Sequence, residues 1–376
     1  MIYLDNAATT GRKPQTVIRA VETGLRQYSA NPGRGGHTPS LAASSALYAV
    51  REKAASFFGA SGAEKVIFTL NCTHSINCVI KGVTKPDDKV VISNMEHNAV
   101  MRPLYKSGLQ IESAPVSLTD DAATLREFEK RITKDTKLVI CTGASNVFGK
   151  TLPLAAIGNL CRQKGVRFAV DAAQTAGVLP LDMGKMKIDY LCVAPHKGLY
   201  APMGIGLLLC EKPIENTLLE GGTGVNSREW TQPDSLPERL ESGTGGLPAA
   251  LGVAAGMDYV QRVGMEALYR HEMRLCRNLW RQFNDLPFVT LYTPEPTDGM
   301  FAPVVSFNLQ NRNSEETAQL LSDRGIAVRG GLHCAPAAHA AMNTLSTGTV
   351  RVSVASFNTA DELQTLVTTV KKLKKV

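Results

Sequence analysis

The chain has 376 residues, of which 44% are hydrophobic and 20% charged, and it carries a net charge of +7. This is the make-up of a soluble globular protein long enough for two domains sharing a large core, and no run approaches the ~18 apolar residues of a membrane span. The positive balance does not describe a nucleic-acid surface, because aromatic residues are only 6% of the chain and are not interleaved with basic clusters.

The first residues, Met1-Ile2-Tyr3-Leu4-Asp5, have neither the basic start nor the apolar core of a signal peptide, so a cytoplasmic protein is expected. From about residue 14 to 255, short apolar runs alternate with helical patterns. Strands are expected at 65–69, 89–92, 110–114, 137–141, 166–170, 188–193 and 204–209, and helices at 40–58, 73–83, 98–106, 122–131 and 154–164. This alternation predicts an α/β fold, a mainly parallel seven-stranded sheet with helices on both faces, and the short loop before 204–209 predicts one antiparallel pairing. Beyond about 246 a long helical segment (247–284, broken near Gly264) leads to strands at 303–309, 326–329 and 349–354 and a last helix over 359–374. A large domain is therefore expected over 14–255 and a smaller α+β domain over 256–376, with 1–13 packing beside it. Lys371, Lys372, Lys374 and Lys375 gather at that last helix end, where a solvated face is the expected setting.

Ligands on such sheets collect at the carboxyl ends of the strands. Asn146 falls there, and so does Asp171, which ends the apolar run Val166 to Val170; His196-Lys197 follow the run Tyr190 to Ala194. A lysine amine one strand from a carboxylate is the arrangement that pyridoxal phosphate (PLP) requires. The amine forms an imine with the aldehyde, and the carboxylate keeps the pyridinium nitrogen protonated. By themselves the two residues read equally well as a strand-end acid and a surface lysine.

The eight cysteines contain no CxxC and no Cys/His pair at zinc spacing, so no metal site is expected. Cys141, Cys192 and Cys210 fall inside apolar runs and read as small core residues. Cys334 instead occupies a glycine-rich loop beside cationic groups, Arg329-Gly330-Gly331-Leu332-His333-Cys334-Ala335-Pro336.

Together these motifs resemble the fold-type I PLP enzymes of the class V aminotransferase family, in the branch of cysteine desulfurases and selenocysteine lyases. The likeness runs from Tyr3-Leu4-Asp5-Asn6-Ala7-Ala8 to Arg351-Val352-Ser353-Val354-Ala355-Ser356-Phe357-Asn358. The resemblance implies that Lys197 is the Schiff-base lysine, Asp171 the pyridinium partner and Gln174 a donor to the phenolic oxygen. His97, in Met95-Glu96-His97-Asn98, would lie on the ring face, and Asn146 would reach the ring oxygen and the substrate carboxylate. Thr73, the Cys72 backbone and His196 would serve the cofactor phosphate. Thr244, in Glu241-Ser242-Gly243-Thr244, would reach it from the partner subunit, which implies a homodimer. Arg351 would grip the substrate carboxylate, with Arg329 a second arginine of the site.

By the same resemblance the Cys334 thiol attacks the sulfur of L-cysteine, leaving L-alanine and a persulfide that passes to an acceptor protein. The residues leave open whether His333 aids ionisation of that thiol or shapes the loop. L-Selenocysteine lyase and C–S lyase chemistry on a cysteine conjugate are the alternative activities. A non-catalytic protein of the same fold is disfavoured by the retention of Lys197, Asp171, Gln174, His97 and Arg351. Two departures stand out. Asn71 and Cys72 replace the first two residues of the usual Gly-Thr-Thr loop, and Ala194 stands where relatives carry a phosphate-binding serine. A lost hydrogen bond is worth ~1 kcal/mol, or ~1.5–3 when charged, so cofactor affinity is expected to fall roughly tenfold or more unless another donor substitutes.

Overall fold

The structure, a computed structural model, describes residues 1–33 and 35–373; Lys374 and Lys375, and with them the end of the expected last helix, lie outside the described residues. Its strands in chain order are β1 (Ile2–Tyr3), β2 (Val66–Thr69), β3 (Lys89–Ser93), β4 (Gln110–Ala114), β5 (Thr136–Thr142), β6 (Arg167–Asp171), β7 (Tyr190–Val193), β8 (Gly206–Cys210), β9 (Val289–Leu291), β10 (Val304–Leu309), β11 (Ile326–Ala327) and β12 (Val350–Ser353). Four helices concern the argument below: α1 (Gln15–Gln27), α2 (Thr38–Phe58), α3 (Cys72–Val83) and α4 (Asn98–Lys106).

Seven strands form the central sheet in the order β2-β8-β7-β6-β5-β3-β4. Neighbours from β7 through β4 are parallel, as the alternating pattern requires. The expectation of one antiparallel pairing was too small: β8 runs antiparallel to both β7 and β2. A single reversed strand placed inside the sheet makes two such pairings, and only the pairing through the short β7–β8 connection was visible from the sequence.

The strands alternate faces with period two. Val139, Cys141, Phe168, Val170, Leu191 and Leu207 join one hydrophobic cluster, while Leu138, Ile140, Ala169, Tyr190, Cys192 and Leu208 join another. Both faces are covered, which is why these segments read as continuous apolar runs rather than alternating ones.

The helical segment after residue 246 breaks where expected, into Leu247–Val263 and Met265–Asn284, with Gly264 at a φ of +92°. α1, unforeseen as a separate helix, lies against Leu247–Val263 so closely that a side chain at Gly24 would meet the Pro248 Cα at 2.7 Å. β12, β10 and β9 form an antiparallel sheet, and β1 pairs in parallel with β11. Leu4 is buried with Phe283, Phe307, Val352 and Leu366, so the first residues share a core with the last hundred. No helix among the described residues is long and apolar enough to cross a membrane.

Candidate active site

The carboxyl ends of β3, β5, β6 and β7 open toward β12 and its adjoining loop, and a cavity of about 200 Å³ lies between them. Cys72, Thr73, His97, Asn146, Asp171, Gln174, His196, Lys197, Arg329, Cys334 and Arg351 all line it, with Ala194 and His333. Thr244 does not. It is exposed in a separate cavity of about 440 Å³, and its hydroxyl accepts a hydrogen bond from Asn31 Nδ2 at 3.3 Å.

One end of the cavity is the start of α3. Asn71 caps this helix, its Oδ1 accepting from the His74 N–H at 2.9 Å, and the Ser75 N–H bonds the Asn71 carbonyl. The N–H groups of Cys72 and Thr73 are left free among the described residues, an anion-binding pair at a positive helix end. Asn71 thus replaces the expected loop glycine with a capping side chain. The Cys72 thiol turns inward, 3.5 Å from Asp171 Oδ1, and burial pushes it well above the usual thiol range with Asp171 adding to the effect.

Asp171 closes β6 and is buried, its Oδ1 also accepting from the Ala173 N–H at 2.9 Å. Lys197 Nζ has no hydrogen-bond partner among the described residues. Burial lowers the pKa of its ammonium, opposed chiefly by Asp171, so the amine is biased toward its neutral, nucleophilic form. His97 caps α4 by accepting the Ala99 N–H at Nδ1 (3.0 Å), which leaves the ring proton on Nε2. Burial lowers its pKa and keeps it neutral. Capping and site residue, alternatives from sequence alone, are here one histidine.

Behind Asp171 lies Glu96, fully buried, accepting from the Ser93 hydroxyl and from the Thr142 N–H at 3.0 Å. Burial pushes its carboxyl up to about 8, with Asp171 adding to the effect, so it favours the neutral form. Glu96 had no role in the sequence reading although it precedes His97; its depth, the decisive fact, is a tertiary property.

Arg351 is 1% exposed. Its NH1 donates to the Asn146 carbonyl at 3.0 Å and its NH2 to Asp5 Oδ1 at 2.6 Å. Asp5 was also missed, and only its place in the quoted Tyr3–Ala8 motif hinted at it. The Asn146 side chain donates from Nδ2 to the His333 carbonyl at 2.8 Å, and Gln174 Nε2 donates to the Ala7 carbonyl at 3.1 Å. Both amides therefore hold protein carbonyls here.

Cys334 is the one exposed thiol among the described residues. His333 and Cys334 have φ of +50° and +55°, a left-handed pair that costs non-glycine residues about 1–3 kcal/mol each. Their surroundings enforce it: Asn146 holds the His333 carbonyl, and the first N–H of α4, that of Asn98, donates to the Cys334 carbonyl at 2.7 Å. His333 Nε2 bonds the Thr349 carbonyl at 2.9 Å, and burial drives the ring's pKa down to about 3. The bond fixes the ring beneath the loop, and a neutral imidazole lends no positive charge to a neighbouring thiolate.

Seven buried side-chain polar atoms among the described residues lack a partner, and four belong to residues lining this one cavity: Asn146 Oδ1, His196 Nδ1, His333 Nδ1 and Arg351 Nε. Each unmet group costs about 1–3 kcal/mol. Their convergence describes a site built for a polar ligand.

The aminotransferase class-V family profile matches residues 2–366. A probable cysteine desulfurase of Methanothermobacter thermautotrophicus is 31% identical over 99% of this chain and 94% of its own length. A cysteine desulfurase of Klebsiella pneumoniae is 32% identical over 100% and 94%. The apo structure of cysteine desulfurase from Thermococcus onnurineus superposes with a TM-score of 0.89 at 32% identity, covering 100% of this chain and 94% of that one. With the whole chain matched in sequence and in fold, this protein belongs to the aminotransferase class-V family.

Proposed function

We propose that the protein is a PLP-dependent cysteine desulfurase, converting L-cysteine to L-alanine and leaving a persulfide on Cys334. The observation that carries the reading is the sharing of one cavity by an exposed thiol, Cys334, and the set Lys197, Asp171, His97 and Arg351.

The residues present fit the cofactor. The free N–H groups of Cys72 and Thr73, the Thr73 hydroxyl and His196 would hold the phosphate. Asp171 would face the pyridinium nitrogen, His97 the ring and Gln174 the phenolic oxygen, and Lys197 would carry the aldehyde carbon. Bound there, PLP supplies an electron sink that acidifies the substrate Cα–H.

This chain's own groups do the rest. Arg351, with Nε still unpartnered, binds the substrate carboxylate. The amine of Lys197 takes the Cα proton and returns one. The Cys334 thiolate attacks the substrate sulfur, so that an S–S bond forms and the C–S bond breaks. The electron pair of the broken bond becomes a C–H bond at Cβ on protonation, and one thiol plus cysteine becomes one persulfide plus alanine. A second subunit bringing Thr244 toward the phosphate agrees with its exposure away from its own chain's cavity.

The test is alanine and sulfide release from L-cysteine, with a reductant present, by wild-type and Cys334→Ala protein. Release is expected only from the wild type, while both bind cofactor and substrate. Undiminished release by the variant removes Cys334 from the mechanism. Release confined to L-selenocysteine in both proteins makes the enzyme a selenocysteine lyase.

A further inference from the structure

Beside Cys334, outside the cavity, runs an open groove of about 600 Å³. Its walls are Met101, Arg102, Tyr105 and Lys106 of α4 and, opposite, Pro336 and Ala337, the second and third residues beyond the thiol. The Asn98–Cys334 hydrogen bond joins these walls at the thiol's own backbone. The groove therefore begins where the sulfur is carried.

Its chemistry is cationic with an apolar floor. Arg102 and Lys106 are exposed and lie one helical turn apart on the same face, and neither has an acidic partner among the described residues. Placing a cation in the last turn of a helix is favourable in itself, which accounts for Lys106 but not for Arg102. Two like charges at this spacing repel, and a negative group bound between them relieves the repulsion. Tyr105 between them is 72% exposed, and Met101 is half-buried beneath.

We propose that this groove receives an acidic, cysteine-bearing segment of the protein that accepts the sulfur, with Arg102 and Lys106 holding its carboxylates while its thiol meets Cys334. The inference rests on the desulfurase reading above. The transfer balances without a further reactant: the acceptor thiolate attacks the outer sulfur of the persulfide, a new S–S bond forms, the Cys334 S–S bond breaks, and Cys334 leaves as thiolate.

The experiment uses protein loaded with L-cysteine, freed of excess, and offered either of two synthetic peptides. Each peptide has a single cysteine, flanked by Asp and Glu in one and by Lys in the other, and transfer is followed by peptide mass. At low salt the acidic peptide is expected to accept sulfur about tenfold faster or more, an advantage that salt erodes. The double variant Arg102→Glu, Lys106→Glu should abolish or invert the preference. Lys371→Glu, Lys372→Glu, which changes the net charge equally at a distant helix end, should leave it intact. Sulfide release to a small neutral thiol should be unchanged in both variants. Equal rates for the two peptides, a preference indifferent to salt, or one lost equally in the distant variant overturns the docking proposal alone. Wild-type protein that forms no persulfide from L-cysteine overturns the desulfurase reading and this proposal with it.

Discussion

Glu272, on the helix Met265–Asn284, is buried, and its one hydrogen-bond partner among the described residues is the Tyr200 hydroxyl at 3.4 Å. Burial pushes its carboxyl from 4.5 up to about 8. In the unfolded chain the same group ionises near its ordinary value, so above that pH folding must take up a proton. The stabilising contribution of the neutral carboxyl is complete below about 4.5 and is lost as pH rises toward about 8. At 1.36 kcal/mol per pH unit, the loss between pH 5 and pH 7.5 is about 3 kcal/mol, an order-of-magnitude figure. Glu272→Gln keeps the shape and an acceptor for Tyr200 but has no proton to take up. Relative to the wild type it should therefore gain about 3 kcal/mol between those two pH values, or roughly 4 °C in Tm for a chain of this size. Urea or thermal unfolding of both proteins at pH 5 and pH 7.5 reads this directly. An equal difference at the two pH values, or a variant that loses ground at pH 7.5, would refute the reasoning and put Glu272 in the folded protein as an ion.

Lys197→Ala should lose both the absorbance band of lysine-bound cofactor and all turnover, whereas Cys334→Ala keeps the band; a spectrum of each purified protein checks this. Ala194→Ser restores a hydroxyl at the phosphate end of the cavity, and at ~1 kcal/mol or more it should tighten PLP binding about fivefold or better, measured by titrating the apoprotein. An unchanged affinity would mean that another donor already fills the place. Arg351→Gln removes a charged hydrogen-bond donor worth ~1.5–3 kcal/mol, so KM for L-cysteine should rise roughly 10- to 150-fold in steady-state assays of alanine formation.

The central sheet was legible because both its faces are covered. Strands such as 137–141 and 166–170 read as unbroken apolar runs between turn residues, and the structure finds them within a residue or two. β1 and β9 were not legible, for they are two and three residues long and exist through distant partners, Ile326–Ala327 and Phe307–Leu309. No local window contains those pairings. α1 was legible in principle, because Val17, Ile18, Val21 and Leu25 fall on one helical face, although Ile18 and Leu25 on that face stay exposed.

At the site, the residues at strand ends and in the cysteine loop could be named in advance because each sits in a short motif of distinctive chemistry. The settings that tune them could not. The burial that favours the neutral forms of Glu96 and His333, the Cys72 thiol turned onto Asp171, and the commitment of Asn146 to the Cys334 loop are all products of packing. Thr244 stays outside its own chain's cavity, a placement that no reading of a single chain could complete.

The Asp5–Arg351 pair spans 346 residues of sequence, and Asn6 and Ala7 also bond to Ser353. A ribosome adding ~5–20 residues per second delivers Arg351 roughly 20–70 s after Asp5. For nearly all of that interval the first strand lacks its partner, Ile326–Ala327, and for the whole of it Asp5 lacks its arginine. The core that encloses Leu4 with Phe307, Val352 and Leu366 can therefore close only when nearly the whole chain has been made, so the two ends of the sequence finish folding together.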